Sequence, residues 1–226
     1  MTESRKVRVQ EFYDAFAPNY HADRYSTREQ RAIDAVAQTM VLRLLWDRDL
    51  SSSRVLDCGC GTGRFSQLFS ERGAQVTGID ASPKMLELAA QRAPRATFQI
   101  GDVTDLPFHS EFDVVVCSQV LTHLHEYERP LRSMRRALKP GGVVIVDFRN
   151  RLAPRNSLYA LRTGFQKLVG RPPEYDPHFA TLGILTRAAR RAGLEVEDWK
   201  ACGKPTDISN SSFRVFSPTV VIRLRT

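Results

Sequence analysis

The run Val55-Leu56-Asp57-Cys58-Gly59-Cys60-Gly61-Thr62-Gly63 constrains this chain more than any other stretch. A short β-rich segment, Arg54 to Asp57, delivers an acid at its carboxyl end. Three glycines at alternate positions follow, and Phe65, Leu68 and Phe69 then fall at helical spacing. Strand, tight turn and helix are read from that order. Glycine matters in the turn because a side chain there would block a ligand or reject the required backbone angles. Such a turn opens a helix whose N-terminus can serve a nucleotide. On spacing alone, Gly59-x-Gly61-x-Gly63 serves a dinucleotide enzyme equally well.

Similar units recur along the chain. Further β-rich runs stand at Gln75 to Ile79, Thr97 to Ile100, Phe112 to Cys117 and Gly142 to Asp147, bounded by Gly, Pro or Asp and separated by helix-sized intervals. Met85, Leu86, Leu88 and Ala89 form one helical stripe, with Ser82 placed to cap it and Pro83 in its first turn. Leu131, Met134 and Leu138 form another, which Lys139-Pro140-Gly141-Gly142 is expected to end before the fifth strand. Regularity breaks over residues 148–180, rich in Arg, Pro, Tyr and Phe, with a helix expected at Leu158 to Leu168. It resumes with a helix at Leu182 to Ala192 and strand candidates at Glu195 to Cys202 and Arg214 to Leu224. The expected fold is one α/β domain, Rossmann-like, with a mostly parallel seven-stranded sheet and helices on both faces. Residues 1–50 form an N-terminal helical cap, with helices at Val7 to Phe16 and Arg28 to Trp46. Residues 51–147 form the cofactor-binding core, 148–180 an inserted lid or substrate wall, and 181–226 the last helix and the completion of the sheet.

Charge narrows the function. Asp80 ends the second strand where an acid can accept hydrogen bonds from ribose hydroxyls. Asp57 stands just before the glycine turn, where its charge is poorly matched to pyrophosphate and favours a cationic ligand; its other role would be to bond the turn and fix the loop. The net charge of +8 attracts anions. However, Arg132, Arg135, Arg136 and Lys139 on one candidate helix, and Arg187, Arg190 and Arg191 on another, fit solvated faces better than a nucleic-acid platform. Cys58, Cys60, Cys117 and Cys202 read as reduced thiols, since Cys58 and Cys60 lack the spacing and further ligands of a zinc site. No metal site is expected. No segment approaches the roughly 18 consecutive apolar residues of a membrane span, and the polar start Met1 to Lys6 lacks the apolar run of a secretory signal. No membrane insertion and a cytoplasmic location are expected.

The ordered motifs resemble the class I S-adenosylmethionine-dependent methyltransferases, small-molecule enzymes among them. Leu56 to Gly63 resembles their glycine-rich first motif and Gly78 to Met85 their second-strand motif. Gly101 to Phe108 resembles the adenine-side motif, while Phe112 to Cys117 and Leu138 to Gly142 match the strand and turn that follow. The likeness is close over about residues 50–148 and looser elsewhere. It implies a methyltransferase fold with S-adenosyl-L-methionine as cofactor. Asp57 with Gly59, Cys60, Gly61 and Gly63 would lie beside the amino-acid portion of that cofactor, and Asp80 would hold the ribose. Ala81 and Met85 would line the adenine pocket, Asp102 and Val103 would read the adenine edge, and Ser118 and Gln119 would face the methionyl side. Tyr13 and Tyr20, part of an aromatic group with Phe16 and Tyr25, would close the pocket, and Arg24 and Arg28 could reach the cofactor carboxylate.

The implied reaction moves a methyl group from a sulfonium to a nucleophile and leaves S-adenosylhomocysteine; the protein aligns the reactants and removes a proton where the acceptor requires it. His123 and His125, just after the fourth strand, lead as general bases, with structural service as the alternative for each. His178 is the third candidate, beside Tyr175 and Asp176. Phe148, Arg149, Arg151, Arg155, Tyr159, Arg162 and Phe165 could accommodate a planar or anionic small molecule. The favoured acceptor is such a metabolite, methylated at oxygen or nitrogen, with carbon open as well. Cys117-Ser118-Gln119-Val120 stands where a nucleic-acid-base methylase would carry an Asn-Pro-Pro-Tyr-like motif, which argues against a nucleic-acid substrate. Two other readings stay open: a non-catalytic S-adenosylmethionine-binding regulatory protein and an NAD-dependent oxidoreductase.

Overall fold

Parallel strands buried on both faces require near-continuous apolar runs, and that is how the central strands are written. In a computed structural model, which describes residues 3–20, 26–171, 177–202 and 217–226, seven strands form one sheet. They are β1 (Arg54–Cys58), β2 (Gln75–Asp80), β3 (Thr97–Ile100), β4 (Phe112–Cys117), β5 (Leu138–Arg149), β6 (Glu195–Cys202) and β7 (Thr219–Arg225). Their order is β3-β2-β1-β4-β5-β7-β6. The first five run parallel, and β7 is antiparallel to both of its neighbours. The mostly parallel seven-stranded sheet expected from the sequence is the one observed.

Among the described residues seven α-helices accompany the sheet: α1 (Glu3–Phe16), α2 (Arg28–Leu44), α3 (Arg64–Ser70), α4 (Pro83–Arg92), α5 (Glu128–Ala137), α6 (Pro154–Leu168) and α7 (Leu182–Arg191). The period-two alternation of strand side chains divides the core. Val114, Val116, Val143 and Ile145 face Met40 and Leu44 of α2 and Phe65 and Phe69 of α3. Val115, Cys117, Val144 and Val146 face Leu131 and Met134 of α5 and Leu185 of α7 on the other side. Local chemistry starts two of these helices. Thr27 and Gln30 form a capping box before α2, and Ser82 Oγ accepts from Met85 N at 3.1 Å before α4, as expected.

The boundary at Lys139 to Gly142 differs from expectation. These residues belong to β5, which begins at Leu138 opposite Phe112 and then slips register before Val114 pairs with Val143. Lys139 Nζ bonds Asp113 at 2.8 Å and secures the irregular start, so the glycines form a bulge within the strand rather than a turn before it. At the far edge Arg223, 5% exposed, joins three elements: it pairs with Asp47 after α2 and with Glu197 of β6, and donates to Leu44 O at 2.7 Å. A charge buried that deeply is tolerated because it is paired with two carboxylates.

Candidate active site

The strand order reverses between β1 and β4, since the chain runs outward from β1 to β3 and resumes on the other side. Ligands in open α/β sheets bind at the carboxyl ends of the strands at such a point. A cavity of about 290 Å³ lies there. Its floor is the turn between β1 and α3. Gly61 has φ +53°, and a side chain added there would meet nothing within 4 Å, so its backbone faces open space. Gly63 does different work. At φ +76° it starts α3 against the backbone of Ala89, 3.0 Å from where a Cβ would sit, which lets α3 and α4 approach closely.

Asp80 links the turn to α4. One carboxylate oxygen accepts from Gly61 N at 2.8 Å and the other from Ser82 N at 2.9 Å. Burial pushes its pKa up against the pull of those N–H groups. Ala81, Met85, Asp102 and Val103 continue the wall, and Ser118, Gln119 and His123 face them from the β4 side. Phe12, Tyr13, Phe16 and Tyr20 cover the cavity from α1 and the turn after it. The Tyr13 hydroxyl lies 2.9 Å from His123 Nε2, which fastens this cover to the loop after β4.

Asp57, Cys60 and Gly63 do not line the cavity; they stand behind its floor. The Asp57 carboxylate, 2% exposed, accepts from Ser66 Oγ at 2.7 Å. His125 and His178 also lie outside the cavity, with their Nε2 atoms 3.1 Å apart and His178 N donating to Thr122 O at 2.7 Å. Arg28 is exposed at the start of α2. Arg24, Tyr25, Tyr175 and Asp176 fall outside the described residues.

A second cavity, about 400 Å³, adjoins the first, and Gln119, Thr122 and Arg149 line both. Its walls include Asp34 and Met40 of α2, Phe148, Arg155, Asn156, Tyr159 and Phe179. At the junction Asp147 accepts from Ser118 Oγ at 2.7 Å and from Gln119 N at 2.6 Å, and burial raises its pKa. That second bond holds Gln119 at φ +62°, a strained angle for a side-chain-bearing residue. Arg64 reaches Ser118 Oγ at 3.3 Å and pairs with Asp34, completing a chain of polar groups behind the site. Neither Asp34, Arg64, Thr122 nor Asp147 stands out in the sequence as a site residue. The one local signal is at Asp147, an acid that ends the apolar run Val143 to Val146 where that run meets the cavity.

A family model described as a methyltransferase domain matches residues 56–146. The ubiquinone biosynthesis O-methyltransferase of Bordetella avium (strain 197N) is 33% identical over 167 residues, 68% of either chain. The chain belongs to the class I S-adenosylmethionine-dependent methyltransferases. A dTDP-4-amino-2,3,4,6-tetradeoxy-D-glucose N,N-dimethyltransferase of Saccharopolyspora spinosa is 32% identical, over 56% of this chain and 53% of its own. Magnesium protoporphyrin IX methyltransferase from Synechocystis PCC 6803, solved with S-adenosylhomocysteine bound, shares the fold at TM-score 0.72 with 20% identity, over 97% of this chain and 98% of that one. This methyltransferase transfers the methyl group of S-adenosylmethionine to a small-molecule acceptor, with S-adenosylhomocysteine as product. Its first cavity is lined by the half-buried carboxylate of Asp80, by Ala81, Met85 and Val103, and by the backbone of Gly61, which faces open space. The buried Thr122 hydroxyl, without a protein partner among the described residues, belongs to a residue that lines both cavities.

In the methyltransferase as it stands, Asp57 carries an electrostatic cost. Burial raises its pKa from the ordinary 3.8 to about 6; the Ser66 bonds oppose the rise and the nearby Asp80 carboxylate adds to it. Between those two values the folded state holds the extra proton, so stability falls as pH rises through that window. The difference of about two units corresponds to roughly 3 kcal/mol at pH 7. Asp57→Asn should therefore stabilise the ligand-free protein by up to about 3 kcal/mol at neutral pH, with the gain vanishing near pH 4. Urea unfolding across that range reads it, and a difference independent of pH would refute the account.

Proposed function

We propose that the acceptor is a planar, anionic small molecule methylated at oxygen or nitrogen. The observation that carries this reading is the second cavity. It joins the first through Gln119, Thr122 and Arg149, and its lining includes two arginines, Arg149 and Arg155, and three aromatic residues, Phe148, Tyr159 and Phe179. Arginine suits a carboxylate because its donors match both oxygens, and aromatic walls suit a flat ring. The O-methyltransferase named for the Bordetella relative and the N,N-dimethyltransferase of Saccharopolyspora are consistent with either acceptor atom. We place the work in the cytoplasm, a reading supported by the unpaired thiols of Cys58, Cys60 and Cys117 in the core. Among the described residues no helix is long and apolar enough to cross a membrane.

The residue roles follow the same reading. S-adenosylmethionine, when bound, supplies an electrophilic methyl on a positively charged sulfur. Asp80 accepts from the ribose hydroxyls, while Ala81, Met85 and Val103 enclose the adenine and Asp102 meets its polar edge. Gly59, Gly61, Ser118 and Gln119 border the amino-acid portion, with Asp57, Cys60 and Gly63 shaping the turn from behind. Tyr13 and Tyr20 exclude water from above. His123, on the cavity wall, accepts the acceptor's proton; His125 and His178 face each other outside and serve to hold the segment at residue 178 to the loop after β4.

The test is an acceptor panel of aromatic acids and their neutral counterparts, read by mass spectrometry for a gain of one methyl group. Anionic acceptors should be preferred. Arg155→Met, which touches only the second cavity, should raise KM for the anionic acceptor about tenfold, the value of one charged hydrogen bond, and leave S-adenosylhomocysteine affinity unchanged. Equal use of neutral and anionic acceptors would overturn the reading.

A further inference from the structure

Helix α6 is amphipathic in the reverse sense for a globular protein. Leu158, Leu161, Phe165 and Leu168 recur at spacings of three and four and share one face. They are 69%, 72%, 65% and 84% exposed. The opposite face, which meets the protein, carries the buried Asn156 and Thr163. Asn156 Nδ2 donates to Asn150 O at 2.8 Å and to Pro218 O at 2.9 Å. The fold therefore holds the helix by its polar side. Half-exposed Leu152 and Val169 lengthen the apolar patch at either end. Contiguous exposed apolar surface of this kind marks an interaction site.

The charge around the patch selects the partner. From Phe148 to Arg171 the basic residues are Arg149, Arg151, Arg155, Arg162, Lys167 and Arg171, and the stretch contains no acid. A second copy of the chain docked face to face through α6 would set these cations against their own counterparts, since a two-fold contact pairs a patch with itself. An anionic lipid surface satisfies both properties at once. Leucine and phenylalanine sink to the headgroup boundary, and the exposed cations outside the cavities, Arg151, Arg162 and Arg171 among them, meet the phosphates. At 15 residues α6 is roughly 22 Å long, short of the roughly 30 Å hydrocarbon core, so it would lie in the interface rather than cross it.

We propose that α6 docks this methyltransferase on anionic membrane surfaces. The same helix lines the second cavity through Arg155, Asn156 and Tyr159, so docking would bring that cavity beside the bilayer. Flotation with vesicles of phosphatidylcholine alone, and with an equal share of phosphatidylglycerol, tests the proposal without any acceptor. Binding is expected to the anionic vesicles, to weaken in high salt, and to fall at least about tenfold in the double variant Leu161→Glu with Phe165→Glu. A second double variant, Arg162→Glu with Lys167→Glu, keeps the apolar face and should lose binding to a similar degree. Both should keep wild-type affinity for S-adenosylhomocysteine, which reports an intact fold. Failure of the wild type to float with anionic vesicles, or wild-type flotation by both folded variants, would overturn the proposal. So would a wild-type dimer, dissolved by the apolar variant, that ignores vesicles.

Discussion

Replacing Asp80 by alanine is expected to weaken S-adenosylhomocysteine binding about a hundredfold. In the proposed role, two charge-assisted hydrogen bonds to ribose hydroxyls, each worth roughly 1.5 kcal/mol, would account for that factor. The carboxylate also accepts from Gly61 N and Ser82 N, so alanine loosens the glycine turn as well as the ribose contact. The two contributions separate in Asp80→Asn, which keeps an acceptor for one backbone N–H but loses the charge; about tenfold is expected there. Stability should change little, because the lost hydrogen bonds are offset by removing a carboxylate whose ionised form burial disfavours. Calorimetric titration with S-adenosylhomocysteine, together with a thermal melt, reads both quantities. Undiminished affinity in a folded Asp80→Ala protein would show that the ribose is held elsewhere.

The first cavity was largely legible in the sequence because its parts are local. Gly61 and Gly63 follow directly from a strand that ends in an acid, Ser82 caps the next helix, and Asp80 lies between them in the chain; each signal occupies a few consecutive residues. The second cavity is assembled differently. Asp34 and Met40 come from α2, Asp147 and Phe148 from β5, Arg155 and Tyr159 from α6, and only tertiary packing brings them together. No spacing rule joins residues that far apart. The start of β5 escaped because Lys139 to Gly142 has the composition of a turn, whereas Leu138 and the bond from Lys139 to Asp113 hold it in the sheet. The apolar stripe of α6 illustrates a further limit. Its periodicity marks a helix with two faces, but which face the protein takes depends on Asn156 finding two carbonyls, one of them at Pro218, 62 residues away.

That same limit applies to the three histidines, which the sequence ranks only by proximity to β4. His123→Gln should lower kcat about a hundredfold, the lower range for loss of a positioned general base, with S-adenosylhomocysteine affinity close to wild type. His123 alone of the three lines the first cavity, at the end of the short turn Leu121–His123. Tyr13 lies against it, hydroxyl to Nε2 at 2.9 Å and ring edge to face with centroids 5.4 Å apart, so the imidazole is held in one orientation. Tyr13→Phe keeps the ring contact and removes the hydroxyl. If Tyr13 only orients the base, this variant should cost about tenfold in kcat, less than loss of the base itself. The acceptor panel supplies an internal control: an acceptor already ionised at the assay pH needs no base, so His123→Gln should spare it while slowing a protonated analogue. Equal slowing of both would make His123 a positioning residue, and unchanged turnover in a folded variant would remove it from the chemistry.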